Sequence, residues 1–127
     1  MNSAKLEFHA VSDGLDVLNA RYAHQPFLKH SHSEYVFGII RAGLHKVWCR
    51  GEWWQVGAGT IATLSPDEPH FGGNGNEHGW AQTMFYVPET TLQDLVGRSD
   101  APLDTTLHFE TPFHRDETTY QLLARAT

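Results

Sequence analysis

The sequence predicts a mostly β fold, a closed antiparallel barrel with short helices on its C-terminal flank. Three observations carry this. Short runs rich in β-branched and aromatic residues follow one another from Leu6 to Thr111, each bounded by Gly, Pro, Asn or Asp. No helical period appears until after Pro88. The segment Lys29-His30-Ser31-His32-Ser33-Glu34-Tyr35 opens an apolar run that reaches Gly43, and Ser65-Pro66-Asp67-Glu68-Pro69-His70 answers it downstream. Histidines at i and i+2 on a strand share a face, so His30 and His32 point the same way, and His70 can join them from a turn. The pattern suggests a polar cluster inside a barrel.

In chain order, the expected strands are Leu15 to Tyr22, Phe27 to Ile40, Leu44 to Cys49, Glu52 to Val56, Thr60 to Leu64, His70 to Phe71 and Trp80 to Val87. Arg41-Ala42-Gly43 and Arg50-Gly51-Glu52 read as tight hairpin connections, and Gly57-Ala58-Gly59 as a sharper reversal. Gly72 to Asn76 reads as a mobile loop. Glu89 to Val96 has apolar residues at helical spacing and stops at Gly97, which predicts a short helix. Leu107-His108-Phe109 is a last extended piece. A further helix begins near Asp116, with Tyr120, Leu122 and Leu123 as its apolar positions, and is cut off at Thr127. The whole chain, 1–127, reads as one domain, with the barrel over about 6–111 and the final helix over about 116–127.

Composition narrows the function. Asp and Glu number fifteen against nine Lys and Arg, a net charge of −6, and the basic residues are scattered. This segment itself is therefore not expected to grip nucleic acid, whose nonspecific affinity comes from Lys and Arg neutralising phosphates. No apolar stretch is long enough for a membrane span or a secretory signal, and the single Cys49 permits no internal disulfide. The chain is read as cytoplasmic, with Cys49 as a small packing residue. Phosphate-binding glycine loops, Cys-x-x-Cys pairs, His-Glu-x-x-His and Gly-x-Ser-x-Gly are all absent, so no catalytic residue is assigned.

The candidate ligand-binding residues are His30, His32, Glu34, His70, Trp80, Met84 and Tyr86. By strand parity Glu34 shares a face with the two histidines, and Trp80, Met84 and Tyr86 share a face of the closing strand. Tyr86 offers a hydroxyl and Trp80 an indole donor to a partly apolar ligand. Proline on either side of Asp67-Glu68 stiffens the backbone that presents His70. His30, His32 and His70 with Glu34 could instead hold a zinc or nickel ion, or form a metal-free patch. His9, His24, His45, His78, His108 and His114 have no partner at informative spacing and are expected to be solvated. Trp53 and Trp54 are expected to face opposite ways.

Taken together, His30-Ser31-His32, the Gly43 turn, Pro66-Asp67-Glu68-Pro69-His70, Trp80, Tyr86-Val87-Pro88 and the terminal helix resemble the amino-terminal effector-binding domain of AraC-type transcriptional regulators. The resemblance covers nearly the whole chain. It implies a cupin-like double-stranded β-helix barrel that senses a small-molecule effector and forms a homodimer through helices after the barrel. It also implies a helix-turn-helix unit beyond Thr127 that contacts DNA. Cupin metalloproteins place a glutamate three or four residues past the second histidine; here Val36 and Phe37 stand in that region, with Glu34 nearer. No cofactor is therefore required. Effector occupancy is expected to act on the Met1 to His9 arm or on the terminal helix. The alternatives are a stand-alone metal-dependent cupin enzyme and a carbohydrate-binding or purely dimerising module.

Overall fold

The structure, a computed structural model, describes residues 3–10, 15–23, 27–30, 33–97 and 109–126, and the side chains of 3–10, 27–30 and 95–97 lie outside that description. In chain order the elements are β1 (Ser3–Ala10), β2 (Asp16–Ala23), β3 (Phe27–His30), β4 (Tyr35–Cys49), β5 (Glu52–Gly57), β6 (Ile61–Leu64), β7 (His70–Asn74), β8 (Trp80–Val87), α1 (Glu89–Gly97), β9 (Phe113–His114) and α2 (Glu117–Arg125). All pairings are antiparallel. One sheet runs β1-β2-β8-β4-β6-β9; the other sets β5 and β7 against β4, with β3 beyond β7.

The two sheets share one long strand. The first half of β4 pairs with β6 and β8, and its second half with β5 and β7. The passage between them is a β-bulge: Ile40 lies opposite Gln82 but Ala42 lies opposite Ala81, so Arg41 is one residue too many. An extra residue inverts the alternation of a strand. Val36 and Ile40 point to the interior before the bulge, while His45, Val47 and Cys49 do so after it, and Lys46 is turned to solvent. Gly43 follows with φ +78, and a Cβ there would strike the backbone of Gly79.

This differs from the expected hairpin at Arg41-Ala42-Gly43. Arg-Ala-Gly between two apolar runs has turn composition, but the left-handed glycine here completes a bend within a continuous strand. The true hairpin follows at Arg50-Gly51, where φ values of 54 and 78 at the two loop residues make the primed turn that two-residue connections favour. Arg50 is held there by Glu68 (Nε to Oε1 3.1 Å) and by the carbonyls of Phe109 and Glu110.

Three other expectations change. Phe27 to Ile40 is not one strand, because Ser33 and Glu34 form a bend before β4. The glycine-rich segment 72–76 is a loop only in its last two residues: β7 continues to Asn74, and Gly72 sits where a Cβ would run into the backbone of Lys46. Where an arm was expected over Met1 to His9, residues 3–10 form a strand that pairs with β2 along its whole length. The helices stand where expected, and Asp116 caps α2 by accepting from the Thr119 amide at 3.3 Å. The expected extended piece at 107–109 lies mostly outside the described residues. Trp53 and Trp54 do face opposite ways, Trp53 being 50% exposed and Trp54 donating its indole N–H to the Cys49 carbonyl at 3.0 Å.

Tyr35 and Ile39 are buried on the outer side of the first sheet, where Leu92 of α1 and Leu123 of α2 line a surface pocket together with Phe37 and Ile61. Burial on both faces explains why the run from Tyr35 to Ile40 is apolar without alternation. Inserting one alanine between Gly43 and Leu44 would advance the rest of β4 by one place and turn Leu44, Lys46 and Trp48 inward in place of His45, Val47 and Cys49. Burying a lysine and exposing the core should cost more than the roughly 5–15 kcal/mol that holds a domain folded. Thermal unfolding of the insertion variant should show no cooperative transition; a melting curve like the parent's would refute the facing given to the second half of β4.

Candidate functional site

The interior between the two sheets holds a cavity of about 240 Å³. Its lining comes from β2, β4, β6, β7, β8 and β9: an aliphatic wall of Val36, Ile40, Val47, Ala62, Leu64 and Met84, and a polar set of Tyr22, His45, His70, Gln82 and Tyr86. Strand parity explains the choice on β8, since Gln82, Met84 and Tyr86 alternate with outward residues.

Trp80 organises one end. It is fully buried, stacks on Tyr22 (ring centroids 4.8 Å apart) and on His45 (4.1 Å, 17° between planes), and donates its indole N–H to Gln82 Oε1 at 2.9 Å. The indole is a shelf behind the cavity and its hydrogen is already committed. Trp80 is thus corrected from a wall residue with a donor for ligand to the residue that orients Gln82, Tyr22 and His45.

His45 is the larger correction. Expected to be solvated, it is 6% exposed and lines the cavity. Its Nδ1–H donates to the Gly73 carbonyl at 2.8 Å, which assigns the remaining ring nitrogen, Nε2, as an acceptor in the neutral ring. Burial pulls its pKa down to about 4; the hydrogen bond to Gly73 opposes this and nearby His70 adds to it. His70 likewise donates Nδ1–H to a backbone carbonyl, that of Glu68, at 3.2 Å. The carbonyl belongs to the turn that closes from the Glu68 amide to the Ser65 carbonyl, with Asp67 at φ 61. The stiff segment that the two prolines predict therefore does present His70 to the cavity. Burial raises the phenol of Tyr86 to about 12, with Tyr22 and Glu34 adding to the rise, and burial also raises Tyr22. Both stay protonated at ordinary pH.

Of the expected site residues, His70, Met84 and Tyr86 meet in the cavity. Glu34 sits half-buried in the bend before β4, close enough to influence Tyr86. His30 faces His70 across the β3–β7 pair, but its side chain and the whole of His32 lie outside the described residues. The zinc or nickel assignment rests on those two; among the described residues no three of His, Cys, Asp and Glu are placed to hold a metal ion. Reading by residue type missed Tyr22, His45 and Gln82. Gln82 was visible in principle, lying between Trp80 and Met84 at the same parity. His45 was not, because its direction depends on the bulge. Cys49 is buried and its thiol is raised to about 12, by burial and then by the Glu68 carboxylate, to which it donates at 3.4 Å. It is a packing residue, as expected.

The model of the AraC-like ligand binding domain matches residues 14–126. The chain belongs to the AraC-like ligand-binding domain family. Solved structures agree with this domain on the fold. AerE from Microcystis aeruginosa superposes with a TM-score of 0.68 at 13% identity, covering 88% of this chain and 47% of its own, so the domain spans about half of that protein. An RmlC-like cupin with a double-stranded β-helix fold from Methanocaldococcus jannaschii gives 0.61 at 16%, covering 74% and 86%. A cupin domain of an XRE family transcriptional regulator from Enterobacter cloacae gives 0.57 at 13%, covering 66% and 95%. No curated protein matches the chain in sequence. The AraC-like domain is thus a mostly β, double-stranded β-helix barrel. No helix among its described residues is long and apolar enough to cross a membrane.

The buried neutral His45 gives the domain a pH signature. The unfolded ring takes a proton near pH 6.5 while the folded ring resists until about 4, so stability is full above 6.5 and falls as pH drops through this window. The loss should approach about 3 kcal/mol by pH 4. Urea unfolding of the parent and of His45→Phe at pH 7.5 and 5 should show the variant less stable at the higher pH yet with a shallower pH slope. Equal slopes would place His45 in solvent.

Proposed function

We propose that the chain is the effector-sensing domain of an AraC-type transcription regulator. A small molecule enters the barrel cavity, a separate helix-turn-helix unit of the same protein contacts DNA, and the helices after the barrel support a homodimer. The observation that carries this reading is the mixed polar and apolar cavity between the two sheets of a fold belonging to a ligand-binding family. Catalysis is not needed to account for it.

The wall of the cavity also connects to the C-terminal helix. Ile40 and Gln82 face the cavity, and their chain neighbours Arg41 and Thr83 face outward. Arg41 Nε donates to Thr83 Oγ1 at 2.7 Å and its NH2 to the Ala124 carbonyl of α2 at 3.4 Å; Thr83 in turn donates to Asn19. The Tyr120 hydroxyl of α2 donates to the Ile40 carbonyl at 3.3 Å. A ligand that displaces Ile40 or Gln82 therefore moves the groups that hold α2, and it shifts the regulator only as far as it prefers one placement of that helix. With β1 paired into the sheet, α2 replaces the amino-terminal arm as the responsive element of this proposal.

Two experiments check the proposal. A thermal-shift screen of small metabolites should find stabilising compounds, and Tyr86→Phe should weaken any that use the phenol by roughly tenfold while leaving the unliganded melting temperature within a few degrees. A screen in which nothing binds the parent, or a stoichiometric transition metal with turnover of a substrate, would contradict a noncatalytic sensor. Separately, Arg41→Ala should raise hydrogen exchange in α2 by roughly fivefold, about 1 kcal/mol of lost restraint, with little change in β6 or β8. Unchanged exchange in α2 would remove Arg41 from the coupling.

A further inference from the structure

The polar groups lining the cavity are two phenols, two imidazoles and one carboxamide; no Lys, Arg, Asp or Glu is among the lining residues described. One of these groups has its polarity fixed by the fold. An indole N–H can only donate, so the Gln82 atom 2.9 Å from Trp80 Nε1 is the amide oxygen. The amide nitrogen then faces away from Trp80. Gln82 is 9% exposed, lines the cavity, and its nitrogen makes no hydrogen bond within the described part of the chain. A donor that lines an open interior without a protein partner asks for an acceptor from whatever fills it.

The rest of the wall limits what can bring that acceptor. A carboxylate, phosphate or ammonium entering here would lose its hydration without meeting an opposite charge among these residues, a penalty that a ligand this small does not recover from contact. The aliphatic side chains from β4, β6 and β8 require an apolar body instead. At about 240 Å³ the space admits roughly eight water-sized groups, which sets a compact ligand of one ring or a short branched chain.

We infer that the cavity takes an uncharged, partly apolar small molecule, an amide or a hydroxylated compound, whose oxygen accepts a hydrogen bond from the Gln82 amide nitrogen. The inference rests on the sensor reading in treating this cavity as the effector's seat, and it adds the ligand's chemical class and the residue that selects it.

The test uses matched probes on the 127-residue chain: benzamide and benzyl alcohol as neutral compounds, benzoate and benzylammonium as charged ones. Protein resonances of the Met84 methyl and the Gln82 side-chain amide report the cavity at pH 7.5, where the charged probes are ionised. Benzamide should shift both in a saturable way at millimolar concentration, with at least tenfold weaker effects from the charged pair. Gln82→Glu keeps an oxygen for Trp80 but replaces the inward donor by an acceptor, and should weaken benzamide roughly tenfold with the Trp80 indole resonance in place. Tighter binding of benzoate or benzylammonium at Met84 would overturn the ligand class and leave the cavity as the effector's seat. Shifts from none of the four would overturn both the class and that seat. Undiminished benzamide binding by Gln82→Glu would overturn the role of Gln82.

Discussion

One extra residue in the longest strand sets the interior of this domain. Arg41 adds a single step to β4 that the bulge absorbs, so the inward places pass from even-numbered residues before it to odd-numbered residues after it. Val36 and Ile40 line the cavity from one sheet; His45 and Val47 line it from the other. Without the inversion the second half of β4 would offer Lys46 and Trp48 to the core, and no two-sheet interior of this composition could close.

The same residue ties the cavity to the surface. A bulge leaves its extra side chain outside the ladder, and Arg41 uses that freedom to reach Thr83 and the last turn of α2. Inside, the buried indole of Trp80 stacks on two cavity residues and fixes the amide of a third, so the polar groups are held by packing instead of by charge. Preorganised groups of this kind lose little entropy when a ligand arrives. A pocket built on neutral hydrogen bonds and a helix held by a few exposed ones suit a binding event that moves α2 at modest cost.

Much of the architecture was legible in the sequence because it follows local rules. Alternating runs, the Arg50-Gly51 turn, the two prolines around Asp67-Glu68 and the Asp116 cap each act within a few residues, and each stands where the pattern put it. What was not legible depends on distant strands. Arg41-Ala42-Gly43 has the composition of a hairpin, and only the register against β8 shows that the chain goes straight on. The inward turn of His45 follows from that register, as does the place of Gly72 against Lys46. Trp80 was singled out by residue type, but its role came from a partner two positions along the strand. The side chain of His30 and the whole of His32 lie outside the described residues, and the described lining of the cavity comes from other residues.

The direct check on this account is the imidazole nitrogen spectrum of His45, followed as pH is lowered from 8 to 5 by two-bond proton–nitrogen correlation. A ring turned inward by the bulge, buried against Trp80 and bound to the Gly73 carbonyl, should show a single neutral form with the proton on Nδ1 throughout that range. A ring that titrates near its ordinary pKa, or that carries its proton on Nε2, would put His45 outside and contradict the inversion on which the cavity depends.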